Sequence, residues 1–351
     1  NIRSKLEGLP FICGYSAWNG CSQQCRARLK PAMRRVLCSS ARRFGVRGLP
    51  RRTRVHEVAP RDGLQNETTV LSTPAKLSLI RQLVASGPSS VEVTSFVRAD
   101  VIPALADADE VCAQLWQQEW AHDARSDGME FVGLVLNKHG FDRFLRAQLD
   151  AVTLVVSCTD THSKANSGKG FDDALVAMFD LVRMAHAEGV KVRTYASMAF
   201  GCPFEGDVEE ARVRAVVTAM AEAGADTVVL ADTIGTGHPE QARALAELAL
   251  EIVPAERLGM HMHDTYGRAV DNCAVGVQLG LVHMDSAVGG CGGCPFAPGA
   301  AGNLATHDLL AMLDDAGVAH GVDSARIVDA HATLEAALGR EMKPHHVGRH
   351  G

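Results

Sequence analysis

Residues 227–263, TVVLADTIGTGHPEQARALAELALEIVPAERLGMHMH, hold the pattern that decides the fold. An apolar run at 227–232 is followed by a helical stretch at 239–252 and by a second apolar run at 258–263. Alternation of this kind is typical of parallel sheets, because parallel neighbours need a crossover connection, usually a helix. The stretch therefore predicts one strand–helix–strand unit.

The same alternation starts at residue 53 and continues along most of the chain. Apolar runs predict strands at 53–59, 90–97, 130–136, 151–157, 191–198, 227–232, 258–263 and 283–288. Helical patterns lie near 74–86, 103–119, 138–148, 171–188, 207–223, 239–252, 267–279 and 305–316, with a terminal stretch at 322–340. This order predicts an α/β protein, a (β/α)8 TIM barrel with a C-terminal helical extension. An open, doubly wound sheet is the alternative.

Length and composition agree with one soluble barrel. The chain has 351 residues, of which 46% are hydrophobic and 22% charged, as expected of a globule with a large core. The sequence contains no apolar run of 18 residues, so we expect no membrane span. Ten cysteines are scattered along the chain and do not form a disulfide framework, which favours a reducing compartment.

Charge divides the chain into segments. Residues 1–54 carry 13 Lys and Arg but only one acid, whereas the remainder carries 22 basic and 40 acidic residues. The acidic body argues against nucleic acid as a partner. We therefore predict a basic N-terminal segment at 1–52, either an organellar transit peptide or a disordered tail, then the barrel domain at 53–340 and a tail at 341–351.

Polar side chains collect where the predicted strands end, which is where TIM barrels place their active sites. Five of the eight units carry ionisable or metal-binding groups there. They are Arg61-Asp62-Gly63 after the first strand, Glu92 in the second, Asp232-Thr233 after the sixth, His261 to Asp264 after the seventh, and Cys294 to Asn303 after the eighth.

His261 and His263 are spaced to share one ion, because residues i and i+2 of a strand point to the same side. Such a triplet arises often by chance, and without its context a pair of core or surface histidines is the simpler interpretation. At a strand end it predicts a metal site, with Asp62 as third ligand and Asn303 offering an oxygen as fourth. Two imidazoles with oxygen donors suit Mg²⁺ or Mn²⁺.

The sequence leaves the roles of Glu92 and Cys294 open. Glu92 lies between Val91 and Val93 and needs a partner if buried. It forms either a structural ion pair, with Arg61 or Arg193, or a support for the site.

Cys294 lies in a loop with glycines at 289, 290, 292 and 293. A thiol there can serve as acid or base if its pKa is tuned. A plain cysteine and a redox pair with Cys291 are the alternatives.

Several strings resemble the 3-hydroxy-3-methylglutaryl-CoA (HMG-CoA) lyase family. They are EVAPRDGLQNE (57–67), TSFV (94–97), FGCPFEG (200–206), DTIG (232–235), HMHDTYG (261–267) and GGCPFAPGAAGNLAT (292–306). The first and the last are specific to that family. Related synthases that join acyl-CoA to a keto acid share the two-histidine strand but lack the cysteine loop.

The resemblance implies a role for each matching residue. The divalent cation would be bound by Asp62, His261, His263 and Asn303. Arg61 would stabilise the enolate of acetyl-CoA, Glu92 would support it, and Cys294 would be the loop acid/base. The substrate would be contacted by Arg61, Gln65, Arg193 and Tyr195.

The implied activity is cleavage of HMG-CoA into acetyl-CoA and acetoacetate, a carbon–carbon lyase reaction of leucine degradation and ketone body formation. The resemblance also implies an acyl-CoA partner, a homodimer and a location in the mitochondrial matrix. The bacterial cytoplasm is the alternative compartment.

Three departures from the family pattern fall near the expected acyl pocket. Ser157-Cys158-Thr159-Asp160 stands where Ser-Ala-Ser-Glu is usual, Val229 where Ser is usual, and Cys291 where Leu is common. A longer 3-hydroxy-3-alkylglutaryl-CoA, or a related 3-hydroxyacyl-CoA, is therefore an alternative substrate. A condensing synthase and a catalytically silent scaffold are further alternatives.

Overall fold

Eight parallel strands close into a barrel in the computed structural model, which describes residues 48–292 and 302–342. The strands are β1 Arg54–Glu57, β2 Ser90–Ser95, β3 Glu130–Leu134, β4 Ala151–Ser157, β5 Lys191–Ser197, β6 Thr227–Asp232, β7 Leu258–Met262 and β8 His283–Ser286. Each pairs with the next, and β8 pairs with β1 from Arg54↔His283 to Glu57↔Ser286. This last pairing confirms the TIM barrel over the open sheet.

Helices surround the strands throughout the described ranges. They are α1 Thr73–Ser86, α2 Ala108–Leu115, α3 Glu119–Ser126, α4 Lys138–Ala147, α5 Asp160–Ser167, α6 Phe171–Ala187, α7 Glu210–Ala223, α8 Pro239–Leu250, α9 Ala269–Gln278, α10 Thr306–Ala316 and α11 Ser324–Leu338. The last is the predicted C-terminal extension. None of these helices is both long and apolar enough to cross a membrane.

Local chemistry sets several helix ends. α4 begins after Asn137, whose side-chain oxygen accepts the N–H of Gly140 at 2.9 Å. α11 begins after Asp323, whose carboxylate accepts the N–H of Ala325 in the same way. Such caps satisfy donors that have no partner within the helix. α1 ends at Gly87, whose φ of 84° suits glycine.

One helix prediction was wrong, and one observed helix was missed. The single helix predicted at 103–119 is a 3₁₀ turn at Pro103–Leu105 followed by two helices, α2 and α3. The break before α2 lies at Asp107, whose carboxylate binds Thr73 and Lys76 of α1. This contact between elements is not visible in the local pattern.

α5 was not predicted at all. Its eight residues are mostly polar and show no apolar period, and other segments hold it in place. The N–H of Thr161 donates to Glu205 at 2.7 Å, and Asp160 accepts from the N–H of Phe171 at 2.9 Å.

The apolar core lies between the strands and the helices. In β2, Val91 and Val93 join the large apolar cluster that includes Leu83 of α1 and Val111 of α2. Glu92 between them points to the opposite side, because side chains alternate along a strand. A small separate cluster holds Tyr195, Val229 and Ala231. The polar groups of the candidate site share the barrel interior with this small cluster.

Glu57, at the end of β1, links chain segments at the place where β1 and β8 close the barrel. Its side chain is fully buried. It accepts the backbone N–H groups of Ala59 and Val288, both at 3.0 Å, and the hydroxyl of Thr306 at 2.6 Å. Burial raises the pKa of Glu57 to about 7, although these hydrogen bonds lower it. One carboxyl group therefore joins the segments after β1 and β8 to the start of α10.

We expect Glu57→Ala to lower the free energy of unfolding by about 2–5 kcal/mol, since it leaves three buried donors without an acceptor. Urea denaturation measures the loss. Glu130→Ala is the matched control, because Glu130 only pairs with the exposed Arg54 and Lys191 at the amino end of the barrel and should cost about 1 kcal/mol or less. Equal losses in both variants would contradict this role for Glu57.

Candidate active site

The chain turns sharply after β1 and presents two adjacent charged side chains. Residues Ala59–Gly63 form one π-helical turn, in which the N–H groups of Arg61, Asp62 and Gly63 all donate to the carbonyl of Val58. Single π turns are rare and are frequent at functional sites. The turn places Arg61 and Asp62 at the carboxyl end of the barrel, as the sequence predicted.

Asp62 lies between the two predicted metal-binding histidines. The Nε2 atoms of His261 and His263 are 3.7 Å and 3.8 Å from its Oδ2 atom. Potential ligand atoms of the three residues all lie within 4.8 Å of one another. Metal–nitrogen and metal–oxygen bonds measure about 2.1 Å, so these atoms can bind one ion together with little rearrangement.

Asn303 supplies a further oxygen next to this triad. It pairs with His263 in an isolated backbone bridge, and its side-chain nitrogen donates to the carbonyl of Cys291 at 3.0 Å. The side-chain Oδ1 atom is buried and has no hydrogen-bond partner in the described part of the chain. A buried acceptor without a partner is costly, and a cation held by the triad would satisfy it. The residues present therefore fit a divalent metal.

Arg61 is held from two sides. Its Nε atom donates to Glu92 Oε2 at 2.5 Å, and its Nη1 atom donates to Asp62 Oδ1 at 2.5 Å. Glu92 is fully buried, and of the two partners considered for it, the structure gives Arg61. The guanidinium is thus fixed in orientation where it lines the cavity described below.

A second polar layer lies behind the histidines and was not predicted as a unit. Asp285 of β8 binds the guanidinium of Arg193, accepts the hydroxyl of Tyr195 at 2.5 Å and lies 3.3 Å from His261 Nδ1. A carboxylate behind a histidine fixes its tautomer and leaves the other nitrogen for a metal. Asp285 thereby orients the Nε2 atom of His261 toward Asp62.

The charges of this cluster favour a cation. Burial raises the pKa of Asp62, but Arg61 and the two imidazoles lower it by more, so it lies well below its ordinary value. For Asp285, Arg193 and His261 likewise outweigh burial, and its pKa is lowered. Three carboxylates, those of Asp62, Glu92 and Asp285, face the two guanidiniums of Arg61 and Arg193, so one further positive charge, from a protonated imidazole or a bound cation, balances the cluster. Buried charge is stabilised by pairing or by a metal.

A cavity of about 280 Å³ opens over these groups. Its polar side includes Arg61, Asp62, Gln65, Tyr195, His261 and His263. Its apolar side includes Val97, Ile102, Leu134, Leu136 and Val155. Arg193 does not line the cavity and lies one layer deeper, bound to Asp285 and Tyr195.

His162 of α5 also lines the cavity and was missed, because its helix was missed. Its Nδ1 atom lies 3.1 Å from the hydroxyl of Ser157, and burial lowers its pKa. It therefore offers a neutral imidazole within a largely apolar wall.

The cysteine predictions divide between described and undescribed residues. Cys294 lies outside the described residues, so the structure gives it no position. Cys291 is buried, and its thiol donates to Glu67 Oε1 at 3.6 Å. Burial raises the pKa of Cys291 well above its ordinary value. Its thiol is therefore protonated at neutral pH.

Several known proteins named as HMG-CoA lyases are similar to this chain. The HMGL-like family model matches residues 52–334. A mitochondrial hydroxymethylglutaryl-CoA lyase of Bos taurus is 36% identical over 291 residues, which cover 83% of this chain and 87% of the bovine protein. The crystal structure of HMG-CoA lyase from Bacillus subtilis has a TM-score of 0.80 at 33% identity and covers 85% of this chain and 97% of its own.

A further solved structure contains ligands. It is an HMG-CoA lyase from Acinetobacter baumannii in complex with coenzyme A and 3-methylmalate, similar to this chain with a TM-score of 0.78 at 33% identity. It covers 86% of this chain and 95% of its own. Both solved structures therefore match most of this chain and nearly all of their own.

Proposed function

The chain belongs to the HMGL-like family, and from this premise we propose that it is a metal-dependent lyase that splits HMG-CoA into acetyl-CoA and acetoacetate. One observation carries the proposal. The triad of Asp62, His261 and His263 lies at the same end of the barrel as the guanidinium of Arg61, which contacts Asp62 directly. A group that binds a cation thus adjoins a group that stabilises an anion, as the cleavage requires.

We propose that Mg²⁺ or Mn²⁺ is bound by Asp62, His261, His263 and Asn303. When bound, the ion supplies a Lewis acid that orients the substrate and lowers the pKa of its tertiary hydroxyl. The ligand set of two imidazoles and oxygen donors suits these ions. Asp285 assists by holding His261 in one tautomer.

A base takes up the proton of the C3 hydroxyl, and the bond between C2 and C3 of the acyl group then breaks. The electron pair moves onto the thioester as an enolate, and C3 becomes the ketone of acetoacetate. Arg61 is placed to stabilise the enolate oxygen, since two carboxylates fix its guanidinium before the reaction. Glu92 acts by positioning Arg61. A proton delivered to the enolate carbon then gives acetyl-CoA.

We assign the delivery of that proton to Cys294, on the family resemblance. The glycines around it allow the loop to close over a substrate and exclude water. Gln65 and Tyr195 line the cavity beside Arg61 and are proposed to contact the acyl-CoA. Arg193 holds the hydroxyl of Tyr195 from below, through its Nε atom at 3.0 Å. The similar protein that binds coenzyme A supports an acyl-CoA ligand.

A longer 3-hydroxy-3-alkylglutaryl-CoA is the second candidate substrate. It is favoured by the apolar wall of the cavity. Val229, which stands where the family usually has Ser, is fully buried behind this wall and packs with Tyr195 and Ala231, which line the cavity. The chemistry is the same for both substrates, and only the group on C3 differs.

A panel of thioesters with hydrogen, methyl, ethyl or propyl on C3 separates the two candidates. We expect the highest kcat/KM for methyl, and each added or missing methylene to cost roughly 10- to 200-fold. Val229→Ser is the matched variant, and we expect it to keep this order. A higher kcat/KM for ethyl or propyl would replace the methyl substrate by the longer one.

Compartment and assembly are proposals as well. We propose that the protein lies in the mitochondrial matrix, with the basic segment 1–52 as its transit peptide. Similar proteins are named both from mitochondria and from bacteria. The bacterial cytoplasm is the alternative, and N-terminal sequencing of the native protein distinguishes them. A homodimer is proposed on the resemblance, and light scattering measures it.

A further inference from the structure

A chain of contacts connects the C-terminal extension to the proposed metal ligand Asn303. The first contact is the hydrogen bond from the Asn303 side-chain nitrogen to the carbonyl of Cys291. Because the nitrogen is held, the Oδ1 atom can point in only one direction. The orientation of this ligand therefore depends on the position of the Cys291 backbone.

Cys291 is itself held by its side chain. A Cβ added to Gly63 would lie 3.1 Å from Cys291 Cβ and 3.2 Å from its sulfur, so the thiol packs directly on the turn that carries Asp62. Any larger residue at position 63 would require Cys291 to move by a few tenths of an ångström. The thiol also donates to Glu67 at 3.6 Å. Packing against Gly63 and the bond to Glu67 thus hold Cys291 in place.

Glu67 is in turn bound by Arg340, two residues beyond the end of α11. The Arg340 Nε atom donates to Glu67 Oε2 at 3.1 Å, and Nη2 donates to Oε1. This is a two-point contact to a carboxylate whose side chain is only 9% exposed. Neighbouring contacts hold the same segment, because Thr69 donates to the carbonyl of Leu338 at 3.2 Å. Glu67 is thus nearly buried, while Arg340 reaches it from the solvent-exposed side.

We propose that Arg340 is a positioning residue for the metal site, acting through Glu67 and Cys291 on the orientation of Asn303. The inference rests on the proposed function for its ligand set. Without Arg340, the nearly buried carboxylate of Glu67 loses its cation and is drawn toward water. Its bond to the thiol then loosens, the Cys291 carbonyl shifts, and Asn303 Oδ1 is no longer fixed toward the triad.

Groups that orient metal ligands typically change metal affinity by 10- to 100-fold when removed. Arg340 acts on the ligand through two intermediate residues, so we expect a loss at the low end of this range, about tenfold, for Arg340→Gln. Arg340→Lys keeps the charge but not the two-point geometry. We expect it to recover part of the affinity.

Mn²⁺ binding, measured by electron paramagnetic resonance on the full-length protein, tests the proposal without relying on activity. Arg326→Gln is the matched control, because Arg326 lies on α11 and forms an exposed pair with Asp323. It removes the same charge and should leave Mn²⁺ affinity unchanged. The decisive comparison repeats Arg340→Gln in an Asn303→Ala background, where we expect less than a twofold further loss because the ligand that it positions is gone.

Each outcome separates the inference from the proposed function. A tenfold loss in wild type that disappears in the Asn303→Ala background supports the inference. An equal loss in both backgrounds, or no loss in either, overturns it while leaving the proposed metal site in place. A wild-type protein that binds no Mn²⁺ overturns both.

Discussion

Replacing Arg61 with lysine is expected to lower kcat on the order of 10²- to 10³-fold, the loss seen when one preorganised donor to a developing anion is removed. Lysine keeps the charge, but it cannot bind Glu92 and Asp62 and still offer a donor to the substrate, as the planar guanidinium does. The effect should fall on kcat with little change in KM, because the enolate exists only during the reaction.

Arg54→Lys is the matched control for this experiment. Arg54 begins β1, the strand that precedes Arg61, and lies at the amino end of the barrel, where it pairs with Glu130 at 3.7 Å. Steady-state kinetics of both variants should show a normal kcat for the control. A change confined to KM in Arg61→Lys would contradict a transition-state role.

The second large effect is expected at Cys294. We expect Cys294→Ser to lower kcat by about 10²- to 10⁴-fold, the usual contribution of a positioned acid or base. The serine hydroxyl has far too high a pKa to exchange a proton near pH 7, while the length of the loop is unchanged.

Cys291→Ser controls for this substitution. The Cys291 thiol points toward Glu67, and a serine hydroxyl at this position can still donate to that carboxylate. We therefore expect a loss of less than about threefold, below the cost of one net hydrogen bond. Comparable losses at both positions, or activity switched by oxidants in wild type and in neither variant, would instead favour a redox pair.

Much of the fold was predictable from the sequence because its pattern is repetitive. Apolar runs bounded by turns gave all eight strands near their observed limits, for instance 151–157 and 227–232. Placement at strand ends then grouped Asp62, His261 and His263, which the barrel brings within 4.8 Å. Both predictions depend on short-range patterns joined by one general rule about where barrels carry their sites.

The contacts behind the site could not be predicted in the same way. Sequence alone left Glu92 with two possible partners, and only the closed barrel selects Arg61. Asp285 is an ordinary aspartate in the sequence, and its importance appears only when β8 lies across from β5 and beside β7. The pairing of Glu67 with Arg340 spans most of the chain and leaves no local signal.

Metal add-back with HMG-CoA as substrate tests the central claim most directly. The full-length protein is stripped with a chelator, incubated with HMG-CoA, and assayed for acetyl-CoA and acetoacetate before and after Mg²⁺ or Mn²⁺ is added. We predict no product without metal and equimolar amounts of both products with it, since the triad and Asn303 then have their ion. Full activity in the chelated protein, or intact HMG-CoA in the metal-loaded protein, would contradict the assignment.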